Sequence, residues 1–494
     1  MCLVLCPSRT QRMRILQTLA AVLFTISWLS GTAVAAPKPA RGYDTWDGFG
    51  TNINETIVLA QAAALKSFDN AKYKFIVLDE GWSHDGTVRQ WVLDEHALPI
   101  PNPMLFPSSA MDGTLTALAS TLKTQYDLTL GVWLIRGVPS QAVKMNLKVK
   151  GTNYSIREII NPNRTCDWHD DVYALDMSHP GAQIYYNSMF ATYRSWGLDY
   201  FKVDCIFGGN LAMSEIDGVA KALTLAGATE DTVLSLSPGF FANKSMADAL
   251  PSFPGSLSYR ITQDMYACWN LDQEHATIGT IAGSCVINTT RIVLQFTDSM
   301  KALPGTDEGK FPDGDMLPVG TFALWNYGKQ SPLTAPMLRF AFGLWSLFKG
   351  PIILSGDLTK ITEPGAKEVI NNRWLPSIHQ DGHLPRVISS NNVNHTGSGV
   401  GTLVWASTNP NIADGSYVGF FAFSENYQLN ARVNITIPVA ALPCSASCNV
   451  TQFYMASIWD DSVVTSLTDQ STTGKITVSV PVNDALIVVV EPQN

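Results

Sequence analysis

The sequence predicts an α/β fold class, a (β/α)8 TIM barrel followed by a C-terminal antiparallel β-sandwich. From Gly42 onward, short apolar runs alternate with longer helix-like segments, which is typical of parallel strands joined by crossover helices. After about Arg386, Ser, Thr, Asn and Val dominate, and alternating runs such as 475–480 replace the helical patterns. These observations predict a barrel over residues 37–385 and a sandwich over residues 386–494.

Apolar runs that suit buried parallel strands recur about eight times, and this number favours a closed barrel. The candidate strands lie near 42–47, 74–79, 129–135, 199–204, 233–237, 258–262, 315–318 and 350–354. Helical candidates between them are 54–69, 112–125, 214–226 and 333–347. An open doubly wound sheet is the alternative. It would be favoured by a G-x-G-x-x-G phosphate turn, and Gly48-Phe49-Gly50 does not extend into one.

Residues 1–36 have the three regions of a secretory signal peptide. A basic stretch that includes Arg9 and Arg14 precedes the apolar run 15–29, and the small residues 33–35 suit a cleavage site. A membrane anchor is the alternative, but the run is shorter than the roughly 20 apolar residues that a span needs. The sequence therefore predicts a protein that is secreted, with the extracellular space or the lysosome or vacuole as its destination.

Glycosylation signals and charge agree with that compartment. Eight Asn-X-Ser/Thr sequons predict N-glycans, at Asn54, Asn153, Asn163, Asn243, Asn288, Asn394, Asn434 and Asn449. The 494-residue chain has a net charge of −9, a pI of about 5.4 and no basic cluster. This composition argues against nucleic acid or an anionic membrane as a partner.

Six cysteines remain once residues 1–36 are removed. They are Cys166, Cys205, Cys268, Cys285, Cys444 and Cys448. An even number in an oxidising compartment permits three disulfides, and fifteen pairings are possible. Proximity in sequence favours Cys268 with Cys285 and Cys444 with Cys448, which leaves Cys166 with Cys205. A zinc site is disfavoured because paired C-x-x-C units are missing.

Polar side chains collect where the predicted barrel strands end. They are Asp44, Asp47, Asp79, Glu80, Arg136, Lys202, Asp204, Arg260, Asp264, Asp313, Asp315 and Asp357. Side chains at the carboxyl ends of barrel strands point into one bowl, so a catalytic role is favoured over the alternative of structural pairs that cap strands. A metal site is disfavoured, because Asp313-Gly314-Asp315 lacks the rest of a calcium-binding loop.

Aromatic residues lie among these polar side chains. They are Trp46, Trp82, Trp133 and Trp269. Carboxylates accept hydrogen bonds from sugar hydroxyls while aromatic rings cover the apolar face of a pyranose. The sequence therefore predicts carbohydrate as the ligand class.

Five segments, in order and with matching spacing over most of residues 42–360, resemble motifs of glycoside hydrolase family 27. This is the α-galactosidase and α-N-acetylgalactosaminidase family of the melibiase group. The segments are Gly42-Tyr43-Asp44-Thr45-Trp46-Asp47-Gly48-Phe49-Gly50, Tyr73 to Trp82, Phe201-Lys202-Val203-Asp204, Arg260-Ile261-Thr262-Gln263-Asp264, and Phe311-Pro312-Asp313-Gly314-Asp315-Met316-Leu317.

The resemblance implies a retaining exo-glycosidase that releases terminal α-D-galactosyl residues. Asp204 would be the nucleophile and Asp264 the acid/base, about 5–5.5 Å apart as a covalent glycosyl-enzyme requires. Lys202 would favour the ionised form of Asp204. The substrate-binding residues implied by the resemblance are Trp46, Asp79, Glu80, Trp133, Lys202, Arg260 and Asp315. Neither a metal nor a cofactor is implied.

Three departures from the family's motifs concern specificity. Glu80 stands where the family has a second aspartate, beside the O4 and O6 hydroxyls of the bound sugar. The fifth strand, 234–239, lacks the Cys-x-Trp type residues that sort galactose from N-acetylgalactosamine, and 134–139 lacks the usual acidic turn. β-L-Arabinopyranosidase and α-N-acetylgalactosaminidase activities therefore remain alternatives, as does a non-catalytic carbohydrate-binding protein.

Overall fold

The computed structural model describes residues 37–85, 90–270, 284–298, 309–322, 329–443, 453–466 and 474–492. The predicted signal peptide lies outside these residues. The described residues form a parallel barrel followed by an antiparallel β domain, which is the predicted fold class. None of their helices is both long and apolar enough to cross a bilayer.

Eight parallel strands form the barrel, with short strands inserted between some of them. In chain order the strands of this part are β1 Arg41–Asp44, β2 Phe75–Leu78, β3 Thr129–Ile135, β4 Val138–Pro139, β5 Ile160–Thr165, β6 Val172–Leu175, β7 Tyr200–Asp204, β8 Val233–Leu236, β9 Ser256–Arg260, β10 Lys310–Asp313, β11 Leu317–Pro318, β12 Thr321–Phe322, β13 Lys329–Gln330 and β14 Ile352–Ser355. The barrel order is β10-β9-β8-β7-β3-β2-β1-β14. Strands such as β2 are buried along their whole length, as parallel strands covered on both faces should be.

A split strand closes the barrel. β10 pairs with β9, and β11, four residues further along the chain, pairs with β14. Asp315, which lies between β10 and β11, has a φ of 77° and turns the chain there. The segment 310–318 therefore joins the two edges of the sheet.

Helices cover the barrel, with bounds set by recognisable end signals. They are α1 Trp46–Phe49, α2 Glu55–Lys66, α3 Thr116–Thr121, α4 Ser140–Met145, α5 Pro180–Ser195, α6 Met213–Leu225, α7 Lys244–Asp248, α8 Val286–Asp298, α9 Ala335–Phe348 and α10 Ala366–Ile370. The Asn54 side chain accepts a hydrogen bond from the Ile57 amide and so caps α2. α5 begins with Pro180 after the capping residue His179, and α9 ends at the left-handed Lys349.

The segment 136–179, between β3 and α5, extends outside the barrel and is called the excursion. Its strands form the small antiparallel sheet β4-β6-β5. A disulfide from Cys166 to Cys205 ties this excursion to the residue directly after β7. The excursion therefore lies against the carboxyl end of the β7 strand.

The C-terminal domain is a two-sheet sandwich. Its strands are β15 His383–Asn391, β16 Gly401–Thr408, β17 Ser416–Phe423, β18 Arg432–Pro438, β19 Phe453–Ser457, β20 Val463–Ser466, β21 Lys475–Pro481 and β22 Asp484–Pro492. The six-stranded sheet has the order β15-β16-β17-β22-β19-β20, and β18 pairs with β21. Period-two alternation divides β17 between two cores. Val418 and Phe420 face the β18–β21 sheet, whereas Tyr417 and Phe421 belong to the core shared with the barrel.

The C-terminal domain packs directly on helix α9, of which eleven residues are buried. A Cβ atom on Gly343 would lie 2.3 Å from Ile487 of β22, so the helix and the sheet approach closely there. Arg339 donates to both carboxylate oxygens of Asp484, at 2.9 and 2.5 Å. The indole of Trp269, on the loop after β9, donates to the Ser424 carbonyl at 2.8 Å.

Two predicted elements have different bounds. The strand near 315–318 is reduced to β11, and β10 was missed because Lys310 and Pro312 interrupt its apolar run. The helix near 112–125 begins only at Thr116, because the Asp112 carboxylate accepts from the Thr114 amide and holds a turn. Its last residues, Leu122–Tyr126, are π-helical.

Candidate active site

The carboxyl ends of the barrel strands bring most of the predicted polar residues into one bowl. They form two ion-paired groups, one around Lys202 and one around Arg260. The two groups are close enough that the charge of Asp315, in the second group, acts on Lys202, in the first. The predicted nucleophile Asp204 follows Lys202 by two residues on β7, so both side chains lie on the inner face of the strand.

Lys202 is the centre of the first group. Its Nζ lies 2.6 Å from Asp79 Oδ2 and 3.3 Å from Asp44 Oδ2. Burial opposes its charge, but Asp44 and Asp79 outweigh burial and hold the pKa of Lys202 well above its ordinary value. Burial, together with the negative charge of Asp44, raises the pKa of Asp79. One buried cation thus serves two buried carboxyl groups, which is a suitable arrangement for binding neighbouring sugar hydroxyls.

Asp204 is held by three hydrogen-bond donors. Oδ1 accepts from the Cys205 amide at 2.8 Å and from Ser237 Oγ at 2.9 Å, and Oδ2 accepts from Trp133 Nε1 at 3.2 Å. Three donors stabilise a carboxylate. The Lys202 ammonium group is directed to Asp44 and Asp79, so the expectation that Lys202 favours the ionised form of Asp204 stays a prediction.

Arg260 is the centre of the second group. Nη1 donates to Asp315 Oδ1 at 2.7 Å and Nη2 donates to Asp264 Oδ1 at 2.6 Å. Asp315 is buried and also accepts from the Met265 amide at 2.6 Å, whereas the Asp264 side chain is 50% exposed. Asp264 is therefore the carboxyl group of this bowl that is open to a leaving group and to water.

Asp47 is a further buried carboxyl group in the bowl. Burial, followed by the charges of Asp315 and Asp44, raises its pKa well above the ordinary value. Among the described residues its Oδ2 has no hydrogen-bond partner. A protonated Asp47 can donate to a ligand oxygen, a role that the sequence did not assign to it.

The Glu80 carboxylate contacts a histidine of the excursion. The Glu80 amide donates to Asp79 Oδ1 at 2.8 Å, and its Oε1 lies 3.0 Å from His169 Nε2. The other ring nitrogen, Nδ1, lies 2.5 Å from Asp171 Oδ1. The structure thus extends the predicted site by a histidine and an aspartate from the excursion.

The four predicted tryptophans divide into two pairs. Trp46 is half-buried beside Asp44, whose Oδ1 accepts from its amide at 2.9 Å, and Trp133 contacts Asp204. Trp82 is buried, and its Nε1 donates to the Trp133 carbonyl at 2.9 Å. Trp269 is buried against the C-terminal domain. The second pair stabilises the fold and does not face the bowl as a sugar platform.

Three of the strand-end residues form structural contacts and are not available to a ligand in the bowl. Arg136 is buried and paired with Glu215 at 3.1 Å, because its side chain turns outward to helix α6. Asp357 accepts from Gln61 Nε2 at 2.9 Å and caps the turn Leu358–Lys360. Asp313 accepts from the Asp315 amide at 2.8 Å and so shapes the turn after β10.

Three site residues escaped the sequence analysis for two different reasons. They are Ser237, at the end of a strand, and His169 with Asp171, on the excursion. Ser237 ends a predicted strand, but a serine at such a position carries little information by itself. His169 lies on the excursion, between Cys166 and β6, where no strand-end rule applies. The only signal was its place in Cys166-Asp167-Trp168-His169-Asp170-Asp171, next to a cysteine predicted to bond beside the nucleophile.

Two of the three predicted disulfides are confirmed. Cys166 is bonded to Cys205 and Cys268 to Cys285. Cys444 and Cys448 lie outside the described residues. The Cys166–Cys205 bond places the excursion, and with it His169, beside Asp204.

The chain is similar to known α-galactosidases. The family model described as Alpha galactosidase A matches residues 168–381. Alpha-galactosidase A of Cellvibrio japonicus is 23% identical over 353 residues, which cover 70% of this chain and 68% of that protein. The chain spans about two thirds of the length of several curated relatives.

Solved structures share the fold. A β-L-arabinopyranosidase from Geobacillus stearothermophilus aligns with a TM-score of 0.76 and 23% identity, over 92% of this chain and 97% of that one. A putative α-N-acetylgalactosaminidase from Bacillus halodurans aligns with a TM-score of 0.72 and 22% identity, over 93% and 100%. With the motifs of the bowl, the family model over residues 168–381 and these relatives, the chain is a glycoside hydrolase that resembles the α-galactosidases of glycoside hydrolase family 27.

Proposed function

We propose that the protein is a retaining exo-glycosidase that releases terminal α-D-galactosyl residues from oligosaccharides or glycoconjugates. The observation that carries the proposal is the contrast between two carboxyl groups in one bowl. Asp204 is fixed by three donors, as a nucleophile must be, while Asp264 is half-exposed and bound on one oxygen by Arg260. Their separation, about 5–5.5 Å in retaining enzymes, stays a prediction.

The reaction has two displacements. A carboxylate oxygen of Asp204 bonds to the anomeric carbon, the glycosidic C–O bond breaks, and the proton of Asp264 passes to the leaving oxygen. Water then transfers a proton to Asp264 while its oxygen bonds to the anomeric carbon, and the ester bond to Asp204 breaks. Arg260, 2.6 Å from Asp264, stabilises the negative charge that forms as the proton leaves.

The rest of the bowl binds the sugar. Asp44, Asp79 and Lys202 present acceptors and a donor to adjacent hydroxyls, and the half-buried ring of Trp46 is available to the apolar face. Their burial and mutual pairing fix them before the substrate binds, which lowers the entropic cost of recognition. An exo-acting enzyme needs a preformed set of groups of this kind for one terminal sugar.

Stereochemistry and chemical rescue test the mechanism. Proton NMR during hydrolysis of an aryl α-galactoside should first show the α-anomer of the free sugar. Asp204→Ala should lose turnover, and azide should restore part of it and yield a glycosyl azide of inverted configuration. Near-normal turnover by Asp204→Ala, or initial release of the β-anomer, would reject the proposal.

A terminal β-L-arabinopyranosyl residue is a second candidate substrate, and Glu80 favours it. β-L-Arabinopyranose is galactose without the C6 hydroxymethyl group. Glutamate extends one methylene beyond the usual aspartate at the position that the family resemblance places beside O4 and O6. One methylene is worth about 1–3 kcal/mol, or roughly 10- to 200-fold in kcat/KM, in such a pocket.

A panel of aryl glycosides separates the candidates. It contains the α-galactoside, the β-L-arabinopyranoside, the α-N-acetylgalactosaminide and the α-glucoside. If Glu80 excludes C6, Glu80→Asp should raise the ratio of kcat/KM for galactoside over arabinopyranoside. An unchanged ratio would show that Glu80 does not decide between the two sugars.

We also propose that the mature protein is a secreted glycoprotein. The signal-like segment 1–36 supports this, and the asparagines of five sequons are exposed. They are Asn153, Asn163, Asn243, Asn394 and Asn434. Expression from the full sequence in a eukaryotic host should give a product in the medium that begins near Pro37 and loses mass with an N-glycanase. Retention of residues 1–36, or an unchanged mass, would reject the corresponding half of the proposal.

A further inference from the structure

His169 is a buried histidine at the wall of the bowl to which no role is assigned. It is 5% exposed and lies between Cys166, bonded to Cys205, and strand β6. The rings of Trp91 and Trp133 lie 6.0 and 6.4 Å from the imidazole. Two indoles therefore flank the ring, and the Cys166–Cys205 disulfide anchors the segment that carries it.

The imidazole bridges two carboxyl groups. Nε2 lies 3.0 Å from Glu80 Oε1, and Nδ1 lies 2.5 Å from Asp171 Oδ1. Asp171 is fixed in turn, because its Oδ2 accepts from Trp91 Nε1 at 3.2 Å and its carbonyl accepts from the Ser140 amide at 2.6 Å. Glu80 is thus the last residue in a series of hydrogen bonds that runs from Asp171 through His169.

The charge of His169 strengthens these hydrogen bonds. Burial opposes protonation of His169, but the contacts with Asp171 and Glu80 outweigh burial and raise its pKa to about 9. The titratable groups that face the ring are Glu80, Asp171 and the neighbouring His84. A protonated imidazole donates from both nitrogens, so each carboxylate receives a charge-assisted hydrogen bond.

The held carboxylate lies near the nucleophile, because Trp133, whose ring is 6.4 Å from His169, donates from Nε1 to Asp204 Oδ2 at 3.2 Å. The charge of Asp204 acts on Glu80 and contributes to its raised pKa, after burial and after the opposing contacts with His169. In an α-D-galactoside, a retaining nucleophile approaches the ring face opposite the leaving group, and C6 projects from that same face. A glutamate fixed there occupies the space that a hydroxymethyl group would need.

A free glutamate would not exclude C6 in this way. Its side chain has three rotatable bonds, and a small rotation would let the carboxylate retreat from the sugar. The contact with His169 removes that freedom.

From these contacts we infer that His169, clamped by Asp171, is a positioning residue that holds the Glu80 carboxylate against the C6 position of the bound sugar and thereby favours pentopyranosides over galactosides. The inference rests on the proposed glycosidase function with its second candidate substrate, the β-L-arabinopyranoside, and names the residue that favours it. His169 acts through Glu80 and takes no part in the bond-breaking steps.

The test compares kcat/KM for an aryl α-galactoside and an aryl β-L-arabinopyranoside in each variant. His169→Gln keeps one donor and a similar volume but cannot bridge both carboxyl groups. It should raise the galactoside-to-arabinopyranoside ratio by about tenfold, part of the range expected for one misplaced methylene. The change should appear mainly in KM, because the reacting groups are untouched.

The ratio separates positioning from folding. A variant that only lowers the amount of folded enzyme reduces both rates equally and leaves the ratio unchanged. Asp171→Asn, which preserves shape, should shift the ratio in the same direction. His179→Gln is the matched control, since His179 caps helix α5 by accepting from the Gly181 amide and should leave the ratio as in the wild type.

A double variant tests whether His169 works through Glu80. In the Glu80→Asp background, His169→Gln should cause no further change in the ratio, because the shorter side chain no longer reaches the imidazole. An unchanged ratio in His169→Gln, or equal shifts in both backgrounds, would overturn the inference while leaving the proposed function standing. Failure of the wild type to hydrolyse either glycoside would instead reject the proposed function, and this inference with it.

Discussion

Replacing Arg136 by methionine should destabilise the protein, because it leaves a buried carboxylate without its cation. The Arg136 and Glu215 side chains are 2% and 1% exposed and lie 3.1 Å apart. Glu215 also accepts from Tyr186 Oη at 2.8 Å. Arg136 in turn donates to the carbonyls of Thr165 and Cys205, the second of which directly follows the nucleophile.

The expected loss follows from the burial of the pair. Removing one partner of a buried ion pair costs about 3–5 kcal/mol. With an unfolding entropy of roughly 2.1 cal/mol/K per residue, a folded chain of about 450 residues loses roughly 3–5 °C in Tm. Methionine retains most of the volume of the arginine stem, so the lost pairing, and not a cavity, should account for the change.

The loss should depend on pH in a defined direction. Burial raises the pKa of Glu215, and Arg136 opposes that rise. Without Arg136, the native carboxyl group binds more protons than the same group in the unfolded chain at mildly acidic pH. Stability then falls as pH rises, so the deficit in Tm should be larger near about pH 7.5 than near about pH 5.

Scanning calorimetry of the wild type, Arg136→Met and the double variant Arg136→Met/Glu215→Gln measures these effects. The double variant should recover at least half of the loss, because no buried charge remains unpaired. A single variant within about 1 kcal/mol of the wild type at neutral pH would refute the reasoning. So would a double variant that is less stable than the single one.

Three other predictions concern separate parts of the molecule. Asp264→Ala should lower kcat/KM for an alkyl galactoside by about 10²- to 10⁴-fold and much less for galactosyl fluoride, which needs no protonation; equal losses would contradict its acid role. Arg339→Leu should lower the free energy of unfolding in denaturant titrations by about 1.5–3 kcal/mol, since Asp484 loses two charge-assisted hydrogen bonds, and a loss within error would contradict this. Burial, followed by the charge of His169, lowers the pKa of His84 from 6.5 to about 4. The unfolded chain binds more protons in that window, so stability should fall as pH drops through it, and His84→Phe should flatten the slope; an unchanged slope would argue against it.

The barrel could be predicted because its strands carry continuous apolar runs. Such runs are typical of a parallel sheet that is buried on both faces. The split strand could not be placed as well, because Pro312 and the left-handed Asp315 interrupt its pattern while the tertiary pairing with β9 and β14 still forms. Propensity and pattern act locally, whereas the closure of the barrel depends on strands distant in sequence.

The site could be predicted as far as strand ends determine it. Asp79, Lys202 and Arg260 lie where the strand-end rule places them. The rule predicts the position of a backbone atom but not the partner of its side chain. Lys202 pairs with Asp44 and Asp79, and Arg136 pairs with Glu215 outside the bowl. Pairing the other four cysteines by proximity in sequence left Cys166 with Cys205, but the path that brings His169 to Glu80 depends on the whole excursion.

The loop after strand β9 belongs to two domains at once. It begins with the proposed acid/base, Asp264, and its Met265 amide donates to Asp315 of the barrel. Five residues later, Trp269 and Asn270 donate to the carbonyls of Ser424 and Glu425 in the C-terminal domain. The C-terminal domain is therefore not an exchangeable module. A chimaera that joined this barrel to a relative's C-terminal domain would need to reproduce those two carbonyl positions, or the residue that protonates the leaving group would be anchored from one side alone.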